Sequence, residues 1–254
     1  MSLTESDFRL DDRTVAVVGA SGGIGAGIAE ACAAAGAERV ILLGRTEDDL
    51  LGVAEKVSEQ GSEGRIAVCD ATSTESIASA FAEIERIDVL VEAAGANQPE
   101  PFVDVDEETF DRLFALNVRG VFFTAQAAVR KMLTAERGGV VVIVSSQMGH
   151  VGAAGRSVYC ASKHALEGLT KALGVELAAS GIRVVTVAPT FVRTAMTATQ
   201  LEDPEIGGEF LAQIPRGRFG EVDEVARAVV FAASPAASLM TGSSLILDGG
   251  WTAR

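Results

Sequence analysis

The sequence contains few of the residues that form disulfide frameworks, zinc sites or membrane spans. Its 254 residues include only three cysteines and two histidines. Three scattered cysteines without a Cys-x-x-Cys pair fit a reducing cytosol, and two histidines do not favour a structural zinc site. Residues 1–12 are polar and acidic and hold no apolar signal core. The longest apolar runs fall well short of the roughly 20 residues of a membrane span. We therefore expect a cytoplasmic protein with no metal site.

Positive charge is also scarce. There are 21 Lys and Arg residues against 35 Asp and Glu residues, which gives a formal net charge of -14. A surface of this sign repels phosphate backbones and anionic lipid headgroups. The composition therefore argues against nucleic-acid and membrane partners.

The chain alternates short β-branched runs with longer Ala-rich stretches. Most of the runs are continuously apolar, as in residues 140–144, which is typical of strands covered on both faces of a parallel sheet. Strands are predicted at about 14–18, 39–43, 65–69, 87–91, 139–145, 182–188 and 244–247. Helices are predicted at about 24–35, 47–60, 74–85, 107–135, 157–179 and 222–233. This order predicts an α/β fold, a doubly wound parallel seven-stranded sheet of the Rossmann type with helices on both faces.

One stretch interrupts this rhythm. Between about residues 190 and 218 the chain has two prolines, several glycines and little periodicity. Long excursions of this kind are often lids or binding loops, although an ordinary surface insertion is the alternative. No linker or repeat divides the rest, so we expect a single domain over 1–254 with a substrate lid at about 190–218.

A glycine-rich loop follows the first predicted strand. Gly19, Gly23 and Gly25 lie between this strand and an Ala-rich helix. Glycine permits positive φ angles and a close approach of backbone N–H groups to a pyrophosphate, and the helix N-terminus adds partial positive charge. A structural tight turn would look similar, but the strand–loop–helix context favours a dinucleotide site.

The end of the second strand bears on which dinucleotide binds. NAD-selective sites usually carry a carboxylate there, about 20 residues beyond the loop, for the ribose 2′-hydroxyl. This chain has Gly44 followed by Arg45, whose guanidinium suits a 2′-phosphate. The acids at 47–49 are better placed to begin the next helix. We therefore expect NADP(H) to be favoured over NAD(H).

Tyr159 and Lys163 stand four residues apart at the start of a predicted helix, so their side chains share one face. A phenol of pKa about 10 needs a stabilised anion to exchange protons near neutral pH, and a nearby ammonium would lower that pKa. Ser146 follows the fifth strand, at the sheet edge where ligands bind in open α/β folds. Asn117 lies within the predicted fourth helix. Taken singly, each residue has an ordinary structural explanation.

Together these residues resemble the short-chain dehydrogenase/reductase family, in its single-domain branch, over nearly the whole chain. The family's Gly-x-x-x-Gly-x-Gly loop matches Gly19, Gly23 and Gly25, and its catalytic set matches Asn117, Ser146, Tyr159 and Lys163. The resemblance implies an oxidoreductase that interconverts a secondary alcohol and a ketone by hydride transfer to or from NADP(H) or NAD(H), with Tyr159 as general acid/base.

The resemblance also implies a role for each matched residue. Asn117 is expected to hold a water in a proton relay that reaches Lys163, which also bonds the nicotinamide ribose. Asp70 corresponds to an adenine contact and Thr194 to a carboxamide contact. The implied cofactor-binding set is Gly19, Ser21, Gly23, Ile24, Gly25, Arg45, Asp70, Ala71, Ala94, Gly95, Tyr159, Lys163, Pro189, Val192 and Thr194. The expected substrate-binding set is Ser146, Met148, His150, Tyr159 and Phe191.

The chain departs from the family pattern at two places. Glu92-Ala93-Ala94-Gly95 stands where Asn-Asn-Ala-Gly is usual, so two sheet-bracing amides are replaced. Pro189-Thr190 stands where Pro-Gly is common. Neither departure falls on a proton-transfer residue.

Substrate and assembly are less constrained by the sequence. The expected pocket has few cations, so an anionic substrate is not indicated, although Arg156 or Arg193 could contribute. The family commonly forms homotetramers through its fourth and fifth helices, and the candidate contacts are Phe122, Phe123, Ala125, Ala165 and Leu169. A 3-oxoacyl thioester reductase and a non-catalytic, cofactor-sensing protein remain as alternatives. An extended-branch epimerase is disfavoured, since its usual loop and large C-terminal domain are missing.

Overall fold

A computed structural model describes residues 4–253 of the chain. Its strands are β1 (Thr14–Val18), β2 (Arg39–Gly44), β3 (Glu63–Val68), β4 (Val89–Glu92), β5 (Gly139–Val144), β6 (Ile182–Pro189), β7 (Val192–Arg193), β8 (Gly220–Glu221) and β9 (Ser243–Leu247). Its α-helices are α1 (Gly23–Ala34), α2 (Asp48–Glu59), α3 (Thr74–Ala82), α4 (Glu107–Phe114), α5 (Val121–Ala135), α6 (Ser157–Leu177), α7 (Ala198–Glu202), α8 (Ile206–Ala212) and α9 (Val222–Ala233).

Seven parallel strands form the main sheet, in the order β3-β2-β1-β4-β5-β6-β9. The direction of strand succession reverses between β1 and β4, which opens a crevice at their carboxyl ends. The central strands are buried on both faces, as their continuous apolar runs predict. Helices α1, α2 and α9 pack on one face, and α3, α5 and α6 pack on the other. The predicted doubly wound fold is confirmed, and the seven strands lie within two residues of their expected positions.

The prediction of one continuous helix at 107–135 is wrong in one respect. The chain forms α4, then a π-helical segment at Ala115–Gly120, then α5. The interruption ends at Gly120, where a Cβ atom would lie 2.6 Å from the carbonyl oxygen of Ala71. Close packing of this backbone on the loop after β3 thus shapes the segment. Hydrophobic periodicity along the chain cannot reveal such a contact between distant residues. π-helical turns of this kind are frequent at functional sites.

The region expected to be irregular, 190–218, contains β7, α7 and α8. It folds around a small apolar cluster of its own, formed by Leu201, Ile214 and Phe219. The Phe191 and Phe210 rings stack here at 4.1 Å between centroids, and Phe191 also contacts Trp251. These contacts join residues up to 60 positions apart, as between Phe191 and Trp251, so no local pattern revealed the two short helices.

Two findings concern ligands and membranes. Within residues 4–253 no helix is both long enough and apolar enough to cross a bilayer. The same residues contain no group of three or more His, Cys, Asp or Glu side chains placed to share a metal ion.

Candidate active site

The glycine loop turns tightly between β1 and α1. Gly19 and Gly23 adopt positive φ angles of +81° and +53°, which L-residues rarely adopt. The backbone N–H of Gly19 donates to the Leu43 carbonyl at 2.8 Å, which ties the loop to β2. Ser21 is exposed and Ile24 half-buried, so the loop offers backbone and small side chains to the crevice. The loop and the N-terminus of α1 together form a cradle that fits a pyrophosphate.

Two other segments close on this loop. A Cβ atom on Gly19 would lie 2.7 Å from the Ala94 backbone nitrogen, so only glycine allows the end of β4 to approach. A Cβ atom on Gly23 would lie 3.7 Å from Thr194 Cγ2. Pro189 ends β6 and the buried Val192 opens β7 just before Thr194. The structure thus brings three predicted cofactor segments together.

Arg45 and Asp70 lie at the carboxyl ends of β2 and β3. At Gly44, a Cβ atom would lie 3.1 Å from Leu50 Cδ2, so an acidic side chain has little room at that position. Arg45 is exposed, and its charge contributes to lowering the pKa of Asp70. The larger contributions to that lowering come from Thr72, whose N–H and hydroxyl both donate to Asp70 Oδ1. Ala71 follows Asp70 against the π-helical segment.

Tyr159 and Ser146 meet in the crevice. Ser146 lies just after the end of β5. Its hydroxyl accepts a hydrogen bond from the Met148 N–H at 3.1 Å. Burial raises the pKa of Tyr159, and the Ser146 hydroxyl and the charge of Arg156 oppose that rise. Arg156 is thus a second cation that acts on the phenol, beside the Lys163 expected from the sequence.

Lys163 is buried and fixed by the sheet. Its Nζ donates to the Val144 carbonyl at 3.0 Å and lies 5.6 Å from the centroid of the Tyr159 ring. Burial lowers the pKa of Lys163 to about 8, and the nearby charge of Glu167 raises it in part. An ammonium with this pKa can exchange a proton near neutral pH.

Asn117 lies in the π-helical segment and is fully buried. Its side chain exchanges two hydrogen bonds with the Ala96 backbone, at 2.9 and 2.8 Å, and donates a third to Ser162 Oγ at 3.1 Å. A Cβ atom on Gly95 would lie within 3.6 Å of both Asn117 Oδ1 and Lys163 Nζ. Asn117 and Lys163 thus meet at the loop after β4, and Tyr159 lies beside Lys163.

A polar cluster behind Lys163 was missed by the sequence reasoning. Glu167 is buried, accepts a hydrogen bond from Thr186 at 2.9 Å and lies 3.4 Å from His150 Nε2. The same ring nitrogen lies 3.0 Å from Ser244 Oγ. Glu167 stands four residues after Lys163 on the same helix. This spacing was the signal that could have indicated that the two side chains share one face. Of the expected substrate-binding residues, His150 already bonds Ser244, so a substrate would have to compete for it. Met148 is buried.

Glu92, which replaces a family asparagine, is 1 % exposed. Its carboxyl hydrogen-bonds the Thr124 hydroxyl, which also lies 2.8 Å from the Gly120 carbonyl oxygen. A hydroxyl has one proton, so a protonated Glu92 that donates to Thr124 Oγ1 lets Thr124 donate to Gly120. Burial raises the pKa of Glu92 to about 8, so this carboxyl is mainly neutral at pH 7.

Comparison with known proteins decides the family. A family model described as enoyl-(acyl carrier protein) reductase matches residues 19–252. L-xylulose reductase from Bos taurus is 38% identical over 97% of this chain and 99% of its own. The chain belongs to the short-chain dehydrogenase/reductase family. As a member it is an NAD(P)-dependent oxidoreductase that interconverts secondary alcohols and ketones, as the sequence predicted.

Two further relatives of this short-chain dehydrogenase/reductase have informative names. Galactitol 2-dehydrogenase (L-tagatose-forming) from Cereibacter sphaeroides is 40% identical, over 96% of this chain and 97% of its own. A gluconate 5-dehydrogenase from Burkholderia cenocepacia J2315, solved in complex with NADP and tartrate, superposes with a TM-score of 0.93. That structure is 29% identical and covers 98% of this chain and 99% of its own.

Proposed function

We propose that this short-chain dehydrogenase/reductase oxidises or reduces a small polyhydroxylated substrate, with Tyr159 as the general acid/base. The observation that carries the proposal is the arrangement of Ser146, Tyr159 and Lys163 in the crevice beside the glycine loop. Lys163 Nζ lies 5.6 Å from the centroid of the Tyr159 ring and donates to the carbonyl of Val144, two residues before Ser146. When bound, the nicotinamide supplies the hydride in reduction and accepts it in oxidation.

The protein's own residues manage the oxygen and its proton. Ser146 hydrogen-bonds the substrate oxygen, and the Tyr159 phenol donates a proton to that oxygen as the carbon–oxygen double bond becomes single. In the reverse direction the phenolate takes the hydroxyl proton. Arg156 stabilises the phenolate, since its charge acts on Tyr159. Lys163, with its pKa lowered to about 8, returns the proton to the tyrosine.

Asn117 contributes to this relay as an anchor. Both protons of its amide are donated within the protein, to Ala96 and Ser162. We therefore assign the relay water to the main-chain carbonyl groups of the π-helical segment, which Asn117 holds beside Lys163. Its side chain positions the relay and does not itself transfer the proton.

We further propose that NADP(H) is preferred over NAD(H). Gly44 leaves little room for the carboxylate that would hold a ribose 2′-hydroxyl, and Arg45 is exposed at the adjacent position. A guanidinium there can pair with a 2′-phosphate through charge-assisted hydrogen bonds.

Arg45→Ala should lower kcat/KM for NADPH by roughly tenfold or more, because one charge-assisted contact is lost. The value for NADH should change far less. Initial rates with each cofactor test this, with Arg39→Ala as the control, since Arg39 lies on the same strand and pairs with Glu63 at 2.7 Å. Equal losses with both cofactors would contradict the assignment.

The domain and lid assignments are also proposals. One continuous sheet from β1 to β9 supports a single domain over 1–254. The segment 190–218 is proposed as the substrate lid, because Phe191 and Phe210 reach Arg156, three residues before Tyr159. The three buried, unpaired cysteines support the cytoplasmic location.

We propose a homotetramer that uses an aromatic face formed by Phe110, Phe114, Phe122 and Phe123. Phe110 stacks on Phe114 at 4.5 Å, and Phe122 contacts Phe123 edge to face at 5.3 Å. Phe110 and Phe122 are each 44% exposed. Exposed aromatic groups of this kind favour an interface. Ala125, a candidate contact from the sequence, is instead buried in the core of its own subunit.

Phe122→Asp should shift the protein to a smaller species, because a charge in an apolar interface is poorly solvated. Size-exclusion chromatography with light scattering measures the mass. Leu51→Asp is the matched control, since Leu51 is a similarly exposed apolar residue on α2. An unchanged mass for the Phe122 variant would contradict the proposed face.

The reaction class is tested with a substrate panel. Polyols, sugar acids, their ketones and a 3-oxoacyl thioester are offered with each nicotinamide cofactor, and the reaction is followed at the nicotinamide absorbance. Turnover of the polyhydroxylated compounds is expected. Turnover confined to the thioester would favour the oxoacyl reductase alternative, and cofactor binding without any turnover would favour the sensor.

A further inference from the structure

Arg156 is a buried cation at the start of α6, one helical turn before Tyr159. Arg156 is only 6% exposed. The guanidinium carbon lies 5.7 Å from the ring centroids of both Phe191 and Phe210, which stack on each other in the proposed lid. Arg156 therefore sits between the catalytic phenol and the 190–218 segment.

This guanidinium has no acidic partner. Throughout residues 4–253, no carboxylate lies within 4.0 Å of it, and its side chain donates no hydrogen bond to a protein acceptor. Burial lowers its pKa, and the groups that oppose this are Tyr159 and Cys160. Its five N–H donors thus have no hydrogen-bond acceptor among residues 4–253, which leaves them available to a ligand. A buried cation of this kind is costly unless a counter-charge reaches it.

Two other arginines near the lid are paired. Arg218 forms a two-pronged contact with Glu224, at 2.8 and 2.7 Å. Arg193, the second cation considered from the sequence, lies 3.4 Å from Glu221 and is about half exposed. Arg216 has no ion pair among the described residues, but it is exposed to water, so Arg156 is distinguished by being both buried and without an acid.

We propose that Arg156 is a specificity-determining residue that binds a carboxylate of the substrate, so that the enzyme acts on hydroxy or oxo acids in preference to neutral polyols. This inference rests on the proposed function and adds the substrate class. A planar carboxylate matches the guanidinium fork, and the aromatic rings shield the pair from water. Arg156 caps the helix that carries Tyr159 three residues later, so a carboxylate bound to its guanidinium belongs to a substrate whose reacting carbon lies at the phenol. Of the two arginines that the sequence offered for an anionic substrate, this assigns the role to Arg156.

The test compares substrates that differ only at one end. Threonate and threitol, xylonate and xylitol, and gluconate and glucitol are offered at equal concentration with NADP+. We expect kcat/KM for the preferred acid to exceed that of its polyol by about a hundredfold, the scale of a buried charge pair. Arg156→Gln should reduce this acid-to-polyol ratio by about the same factor. Arg193→Gln is the matched control and should keep the ratio.

A binding measurement separates this inference from the proposed function. Tartrate should raise the melting temperature of the NADP+-loaded wild-type protein and not that of the Arg156→Gln variant. Should Arg156→Gln fail to fold, Arg156→Lys keeps the charge without the fork, and its ratio should fall between the two. The inference would be overturned if polyols were turned over as fast as their acids. It would also be overturned if tartrate still raised the melting temperature of the Arg156→Gln variant. Tartrate binding through Arg156 without turnover of any compound would overturn the proposed function and leave the Arg156 site standing.

Discussion

Tyr159→Phe should lower kcat by about 10²–10⁴-fold, the range that a positioned general acid/base contributes. The change removes one oxygen atom and keeps the ring. It deletes the proton donor and leaves the packing of the side chain intact. Steady-state rates at the nicotinamide absorbance, with the preferred substrate of the panel, measure the loss.

Cofactor binding distinguishes lost chemistry from lost structure. Trp251 is the only tryptophan of the chain and lies 5.8 Å from Phe191 of the proposed lid, so its fluorescence is a probe of NADPH binding. The dissociation constant should change far less than kcat. Ser157→Ala, which removes a hydroxyl from the same helical turn, is the matched control and should retain near-normal rates. Substantial turnover by the Tyr159→Phe variant would contradict the proposed mechanism.

Glu92→Gln should make the protein markedly more stable than the wild type above pH 8. Folding raises the pKa of Glu92 from 4.5 to about 8, so the native state binds more protons than the unfolded state between these pH values. The wild-type free energy of unfolding should therefore fall as pH rises through this window and level off above it. A glutamine keeps a donor for Thr124 and carries no charge.

Urea denaturation at pH 5, 7 and 9 measures this effect. The two proteins should be similar at pH 5 and differ by several kcal/mol, on the order of 3–5, at pH 9. Cys69 is a second titratable group whose pKa is influenced by Glu92. Its own pKa is raised to about 11, mainly by burial, so it does not titrate between pH 5 and 9. Glu55→Gln, at an exposed acid of α2, is the control. Parallel pH dependence of the wild type and the Glu92 variant would show that the carboxyl does not titrate as inferred.

Much of the site was predictable because its signals are local. The glycine loop must follow a strand and open a helix, and its positive φ angles require the residue type that the sequence places there. Tyr159 and Lys163 share a face because helical spacing fixes their directions. Ser146 reaches them because parallel strands end at one edge of the sheet. The fold class followed from the continuous apolar runs, since only strands covered on both faces tolerate them.

The tertiary structure decided what depends on contacts between distant residues. Glu92 meets Thr124 across 32 positions of the chain, and Asn117 meets Ala96 across 21. Burial makes the Glu92 carboxyl neutral, and the packing of Gly120 on Ala71 shapes the π-helical segment; neither feature has a local pattern. A second cation near Tyr159 also belongs here. Helical spacing pointed to Lys163, which lies 5.6 Å from the ring centroid, but the folded chain adds Arg156, which has no ion pair among the described residues. Sequence therefore determines the reaction class, whereas burial and pairing decide which charges are free to act on the substrate.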